Sequence, residues 1–257
     1  MWGDRMAQRE STRPFIANRP LRVLLATPAL IAALFATSAQ GGWNVHGPYG
    51  GFARAVAGSG DHLLLGTTDG VYGTDDAGAH WQRRGDLPRG AVIDSLAISP
   101  ADSQVILAGN WTNGYRSSDG GAHWTPSNLA FDYAVFHPAS AESIAALGSL
   151  AYVGANTPIL CSSDGGQTFE SSGVPAAFVI ADRFTANSFI ALDASGALYR
   201  SIAGCLVWQP AGAIAGSPVG LLQDAVDPNV LYVTLDGLDW GSLERWDVSS
   251  NADWWES

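Results

Sequence analysis

Nearly the same eight residues occur three times in this chain: Thr74-Asp-Asp-Ala-Gly-Ala-His-Trp81, Ser117-Ser-Asp-Gly-Gly-Ala-His-Trp124 and Ser162-Ser-Asp-Gly-Gly-Gln-Thr-Phe169. Each copy has a hydroxyl first, an Asp third, a Gly fifth and an aromatic eighth, and the copies start 43 and then 45 residues apart. A constant period in the forties confines the chain to a repeat architecture. The same regularity assigns the best-marked residues to structure before chemistry.

Upstream of each box lie two short apolar runs separated by a turn. They are Ser95–Pro100 and Gln104–Gly109 in the second unit, Ala134–Pro138 and Ser143–Gly148 in the third. The fourth unit offers Phe178–Arg183 and Ser188–Leu192, the fifth Gln223–Pro228 and Asn229–Thr234, the first Arg54–Gly58 and His62–Gly66. A third run leads into each box, and the closing aromatic opens a fourth. Such runs, rich in β-branched residues and bounded by Gly, Pro, Asp and Asn, are strands and turns. Four strands at this period make a β-propeller blade. The fourth box has decayed to Ser201-Ile-Ala-Gly-Cys-Leu-Val-Trp208, and in the fifth only Arg245 and a displaced Trp254 survive. The expected fold is therefore all-β, a propeller of about five four-stranded blades. Trp43 and Trp254 both take the outer-strand place, so the ring either closes with one end strand displaced or is incomplete.

Within a box, the Asp carboxylate is placed to accept backbone N–H groups one or two residues on, and the Gly supplies a positive φ. Asp76, Gly78, Trp81, Asp119, Gly121, Trp124, Asp164, Gly166 and Phe169 are accordingly read as blade-turn residues.

Ser-x-Asp-x-Gly-x-x-Trp resembles the Asp-box, or BNR repeat, of sialidases, some endoglucanase propellers, sortilin-like receptors and other exported proteins. The opening Trp43-Asn-Val-His-Gly-Pro-Tyr-Gly-Gly51 looks like the start of exported Asp-box propellers. This likeness implies the propeller fold for residues 43 to about 255 but no single activity, since hydrolases and binding proteins share it. A sialidase would need an arginine triad. Here Arg116, Arg200 and Arg245 fall at one repeat position before the box, which points to structure.

Five of the 13 Arg of a chain without Lys precede residue 23, and residues 21–39 form a short apolar run ending in Thr37 and Ala39. This reads as a signal segment, so residues 1–39 are set apart from a propeller of residues 40–257, and a secreted or periplasmic location is expected. A membrane would be met only through an uncleaved leader. Cleavage moves the net charge from −11 to about −14. An acidic body without basic clusters excludes nucleic acid as a partner. Two cysteines, Cys161 and Cys205, lie in neighbouring repeats, either bridged or as two buried thiols.

The repeat also exposes what it does not require. Asp94 and Asp132 each lie six residues before a Pro, at the channel mouth of adjacent blades, where the other units have Ala53, Ala177 and Leu222. Paired carboxylates are the apparatus of glycoside hydrolysis. Trp111 and Trp240 fall in loops on the same face, and Trp stacks on flat ligands. These four residues are the candidate site. No zinc spacing, Gly-x-Ser-x-Gly elbow or phosphate loop occurs, so no metal or cofactor is expected. The reading is a binding or interaction propeller with a carbohydrate or protein ligand, the alternative a glycoside hydrolase using Asp94 and Asp132.

Overall fold

Twenty strands in five successive groups of four make up the described part of the chain, with no helix among them. The computed structural model describes Gly47 and residues 51–148, 156–202, 204–236, 242–247 and 252–253. Trp43, Trp240, Trp254 and the expected leader fall outside these residues.

Blade 1 is β1 (Ala53–Ser59), β2 (His62–Thr67), β3 (Gly70–Thr74) and β4 (Gln82–Arg84). Blade 2 is β5 (Ser95–Ile98), β6 (Ile106–Gly109), β7 (Gly114–Ser117) and β8 (Thr125–Pro126). Blade 3 is β9 (Tyr133–Phe136), β10 (Ile144–Leu147), β11 (Thr157–Ser162) and β12 (Glu170–Ala176). Blade 4 is β13 (Phe178–Ala181), β14 (Phe189–Leu192), β15 (Ala197–Ser201) and β16 (Trp208–Ala213). Blade 5 is β17 (Ser217–Gln223), β18 (Val230–Asp236), β19 (Ser242–Asp247) and β20 (Ala252–Asp253). Each blade is an antiparallel meander, as expected for strands joined by tight turns.

The fifth blade departs from its sequence reading. Its first strand is 217–223, and residues 224–229 form the turn. The amide of Asp224 donates to the Val230 carbonyl at 2.9 Å, as Ser99 does to Val105 at 3.0 Å and His137 to Ser143 at 2.9 Å. Pro228 stands four residues past that anchor, whereas Pro100 and Pro138 follow theirs directly. A longer turn therefore displaces the Pro used as a ruler. The place equivalent to Asp94 and Asp132 is the bulge at Pro218–Gly220 rather than Leu222.

The core lies between blades. Alternation along a strand sends successive side chains to opposite faces, so each sheet feeds two interfaces. Ile106 and Ala108 join Leu64 and Val71 against blade 1, while Leu107 joins Phe131, Phe136 and Ile144 against blade 3. Ala145, Leu147 and Phe189 fill the next junction, and Ile190, Leu192, Leu231 and Val233 the last. Each of the Leu, Ile, Val and Phe side chains contributes about 1.5–3 kcal/mol by leaving water. Inner strands of consecutive blades pack β1 on β5, β5 on β9, β9 on β13 and β13 on β17. Among the described residues no packing of comparable extent joins β17 to β1.

All three intact boxes fold alike. The Thr74, Ser117 and Ser162 hydroxyls donate to Asp76, Asp119 and Asp164 at 2.6, 2.8 and 2.8 Å, and accept the amides of Gly78, Gly121 and Gly166 at 3.0, 2.9 and 2.9 Å. The carboxylates accept from the amides of His80, His123 and Thr168, four residues on rather than one or two, at 2.8, 2.9 and 3.0 Å. The difference arises because the positive-φ residues turn the chain back onto the carboxylate. Gly166, at φ +83°, also lies so close to Leu107 that a Cβ would meet its Cδ2 at 2.6 Å. Trp124 and Phe169 are buried, and Trp81 is partly covered.

These bonds hold the box carboxylates ionised. The His123 amide, its ring and the Ser117 hydroxyl bring Asp119 down to about 2 from 3.8, and the Thr74 hydroxyl with the His80 amide and ring lowers Asp76 further. A depressed folded-state pKa stabilises above the unfolded value and ceases to do so as pH falls through the folded one. The urea midpoint is thus expected to hold steady between about pH 4 and 6 and to drop between about pH 4 and 2. Asp119→Asn should flatten that acid limb, and an unchanged limb would show that the box does not set it.

Cys161 and Cys205 form a disulfide between blades 3 and 4, with α-carbons 5.3 Å apart. Of the pairing alternatives left open by the sequence, the bridge is the one adopted. Cys205 stands at the fifth place of the decayed box, where Gly166 in the preceding box packs on blade 2. Arg116 and Arg200 are structural, as their shared position suggests. Arg116 donates to the Gly165 carbonyl of the next box at 2.7 Å. Arg200 holds the fully buried Asp182 through Nε at 3.0 Å and Nη2 at 2.5 Å.

Candidate functional site on the loop face

Strand direction separates two ends of the blades. Box turns and first turns lie at one end; the loops between second and third strands lie at the other, with the entries to the inner strands. Asp94 and Asp132 share this loop end, and the register expectation holds for them. The Asp94 amide donates to the Gly109 carbonyl at 2.9 Å and the Asp132 amide to the Leu147 carbonyl at 3.1 Å, equivalent bonds on adjacent blades. The Asp94 carboxylate is engaged by the Arg54 guanidinium of β1. Arg54 was not singled out from the sequence, because an Arg within an apolar strand carries no repeat signal.

Trp111 stands at the tip of the loop joining β6 to β7 and is 64% exposed. Its position follows from Asn110, a buried amide inside the loop. Oδ1 of Asn110 accepts the amides of Thr112 and Asn113, both at 2.8 Å, while Nδ2 donates to the Val92 carbonyl. This side chain replaces a tighter backbone turn and sends the next residue outward. Gly109 and Gly114 bracket the loop because the Phe131 ring lies against both. A Cβ on Gly109 would meet the ring at 2.6 Å, and one on Gly114 at 2.7 Å.

Two further aromatics are exposed at the same end: Phe52, just ahead of β1 and 82% exposed, and Tyr133, at the start of β9 and 39% exposed. Phe52 is held there by a ladder with Thr68, amide to Oγ1 at 3.1 Å and carbonyl to amide at 3.2 Å. Sequence reasoning missed both, since an aromatic at a strand entry reads as core. The blade 1–3 loop end thus presents Phe52, Trp111 and Tyr133 with Arg54, Asp94 and Asp132. Trp240 falls outside the described residues.

A cavity of about 520 Å³ opens on the inner strands of blades 1 to 3, lined by Ala57, Leu96, Ala97, Pro100, Val135 and Phe136 among others. Its wall is mostly apolar and runs toward the box end. Neither Asp94 nor Asp132 lines it. No group of acids, His and Cys suited to a metal ion occurs among the described residues.

No family model matches this chain. It is 30% identical over 153 residues to the photosystem II assembly lipoprotein Ycf48 of Synechococcus sp. (strain CC9902), covering 58% of this chain and 43% of that protein. The chain therefore spans less than half the length of this curated relative. Solved structures show the same fold. An ancestral GH74 enzyme superimposes with a TM-score of 0.59 at 21% identity, over 81% of this chain and 31% of that one. YCF48 bound to D1 peptide gives 0.52 at 17% identity, over 79% and 66%. YCF48 from Cyanidioschyzon merolae gives 0.54 at 14% identity, over 80% and 73%. The architecture is a β-propeller.

Proposed function

We propose that this chain is an exported Asp-box propeller that binds a polypeptide segment of a partner protein across its loop end. The observation that carries this reading is the exposed set Phe52, Trp111 and Tyr133 at the loop end of blades 1 to 3; among the described residues the other large aromatics, Phe184 apart, are more covered. Aromatic side chains presented on rigid elements are the usual anchors of protein interfaces. Similarity to Ycf48, one structure of which holds a D1 peptide, supports a protein ligand rather than a sugar. In this reading Arg54 and Asp94 form a charged rim that sets the orientation of the bound segment, with Asp132 beside them. Trp240, which by sequence register alone belongs with Trp111, is a further candidate contact, and the location is secreted or periplasmic.

Titration with the D1 peptide, followed by tryptophan emission, tests the proposal. Saturable binding is expected, with Trp111→Ala weakening it about 10–100-fold, the range of an interface anchor. Oligosaccharide turnover abolished by Asp94→Asn, with no response to peptide, would favour a hydrolase instead.

A further inference from the structure

Two junctions between blades are fastened at the same repeat place. The residue just before the box reaches across to the box of the next blade: Arg116 donates from Nε to the Gly165 carbonyl at 2.7 Å, and Cys161 is bonded to Cys205. In blade 1 that place is Gly73, which has no side chain to send across. The Arg84 side chain of β4 lies over it instead, so close that a Cβ on Gly73 would meet its Nε at 2.5 Å. Arg84 does not restore the link. Its Nη2 bonds Asp75 of its own blade at 2.5 Å, and its buried Nε has no hydrogen-bond partner.

At this junction a cavity of about 410 Å³ opens between blades 1 and 2, at the box end. Asp75 and Arg84 line it from blade 1, Asp119 and Gly120 from blade 2, and Leu64 and Ile106 belong to its apolar wall. Gly120 holds the fourth place of its box, as Gly165 does in the next, so its carbonyl is the counterpart of the one that Arg116 takes. Apart from His62, the charged groups of the lining are two carboxylates and one guanidinium. Bonds from His62 and Arg84 keep Asp75 ionised, as those from His123 and Ser117 do Asp119. Asp119 accepts three donors, from the Ser117 hydroxyl and from the amide and ring of His123. A carboxylate has about four acceptor sites, so one more donor can be taken.

We propose that this cavity binds an alkylguanidinium group, either an arginine side chain of a partner polypeptide or a free alkylguanidine, in the place that Arg116 fills at the next junction. The fold itself supplies the precedent, because the same repeat place one blade on holds a guanidinium. The excess of carboxylate in the lining favours a cation. A planar fork of donors suits the Asp119 carboxylate beside the Gly120 carbonyl, which a compact ammonium matches less well. The methylene stem of such a group packs on Leu64 and Ile106. This site is separate from the loop end and independent of the reading given for it.

Saturation-transfer NMR on the full chain at pH 8, where an ordinary imidazole is uncharged, tests the proposal with n-butylguanidine as probe. Saturable binding is expected, with n-butylamine about 10-fold weaker or worse, the size of a charge-assisted hydrogen bond. Asp75→Asn should weaken butylguanidine by a similar factor, about 10-fold. Gly73→Arg combined with Arg84→Ser copies the Arg116 and Ser127 pair of blade 2, fills the cavity from within, and should abolish binding. Tighter binding of N-acetylarginine amide than of butylguanidine identifies a partner's arginine as the source, and the reverse identifies a free alkylguanidine. No saturation by either guanidinium, butylamine binding as well as butylguanidine, or binding unmoved by both Asp75→Asn and the double variant would each overturn the proposal.

Discussion

Asp182→Ala is expected to cost about 3–5 kcal/mol of stability, the range for removing one partner of a buried ion pair. The carboxylate has no exposed surface and is the hub of a network between blades 4 and 5. Arg200 grips one oxygen, while the other accepts from the Phe184 amide and from Nε2 of Gln223, both at 3.1 Å. Gln223 in turn takes the Arg183 amide through Oε1 at 2.9 Å. Removing the carboxylate leaves the Arg200 guanidinium and the side-chain amide of Gln223, on β17, without that acceptor. Burial alone would raise the Asp182 pKa, yet the hydrogen bonds from Gln223, Phe184 and Arg200 leave it below the ordinary value. Asp182→Asn should be milder, since it keeps the acceptor toward Phe184. Urea unfolding monitored by near-UV circular dichroism would check the order, and a loss under about 1 kcal/mol would mean the network contributes no more than a surface pair.

Loss of the disulfide is expected to cost about 4 kcal/mol, from the chain entropy of the loop it closes. The bridge spans 44 residues, long enough for its constraint on the unfolded chain to be large. It also sits where the repeat has weakened, because the fourth box lacks the Asp that ties the other three turns together. Cys161→Ser with Cys205→Ser should lower the urea midpoint, and a reductant should have the same effect on the native protein but none on the variant. An unchanged midpoint would place the stability of the blade 3–4 junction in its apolar contacts alone.

The parts legible in the sequence were those written more than once. Three boxes at one spacing specify the blade, the turn and the direction of each strand, and from these the shared end of Asp94, Asp132 and Trp111 follows. Features present once were harder to place. The three extra residues before Pro228 broke the only ruler available for blade 5, and Leu222 was consequently put in the wrong register. The pairing of Cys161 with Cys205 depended on how closely two neighbouring blades approach, a distance that linear spacing does not contain. Phe52 and Tyr133 escaped notice because their exposure depends on how strands and loops pack at the blade ends, and nothing in the residues alone distinguishes them from core aromatics.

The central claim is that recognition of the partner segment lies at the loop end and that the boxes at the opposite end hold the blades. Hydrogen exchange with and without saturating D1 peptide tests it most directly. The account predicts protection of Asn110–Asn113 and of the entries to β1, β5 and β9, with residues 75–80 and 118–123 unchanged. Protection confined to those box turns, with the Trp111 loop unaffected, would contradict it.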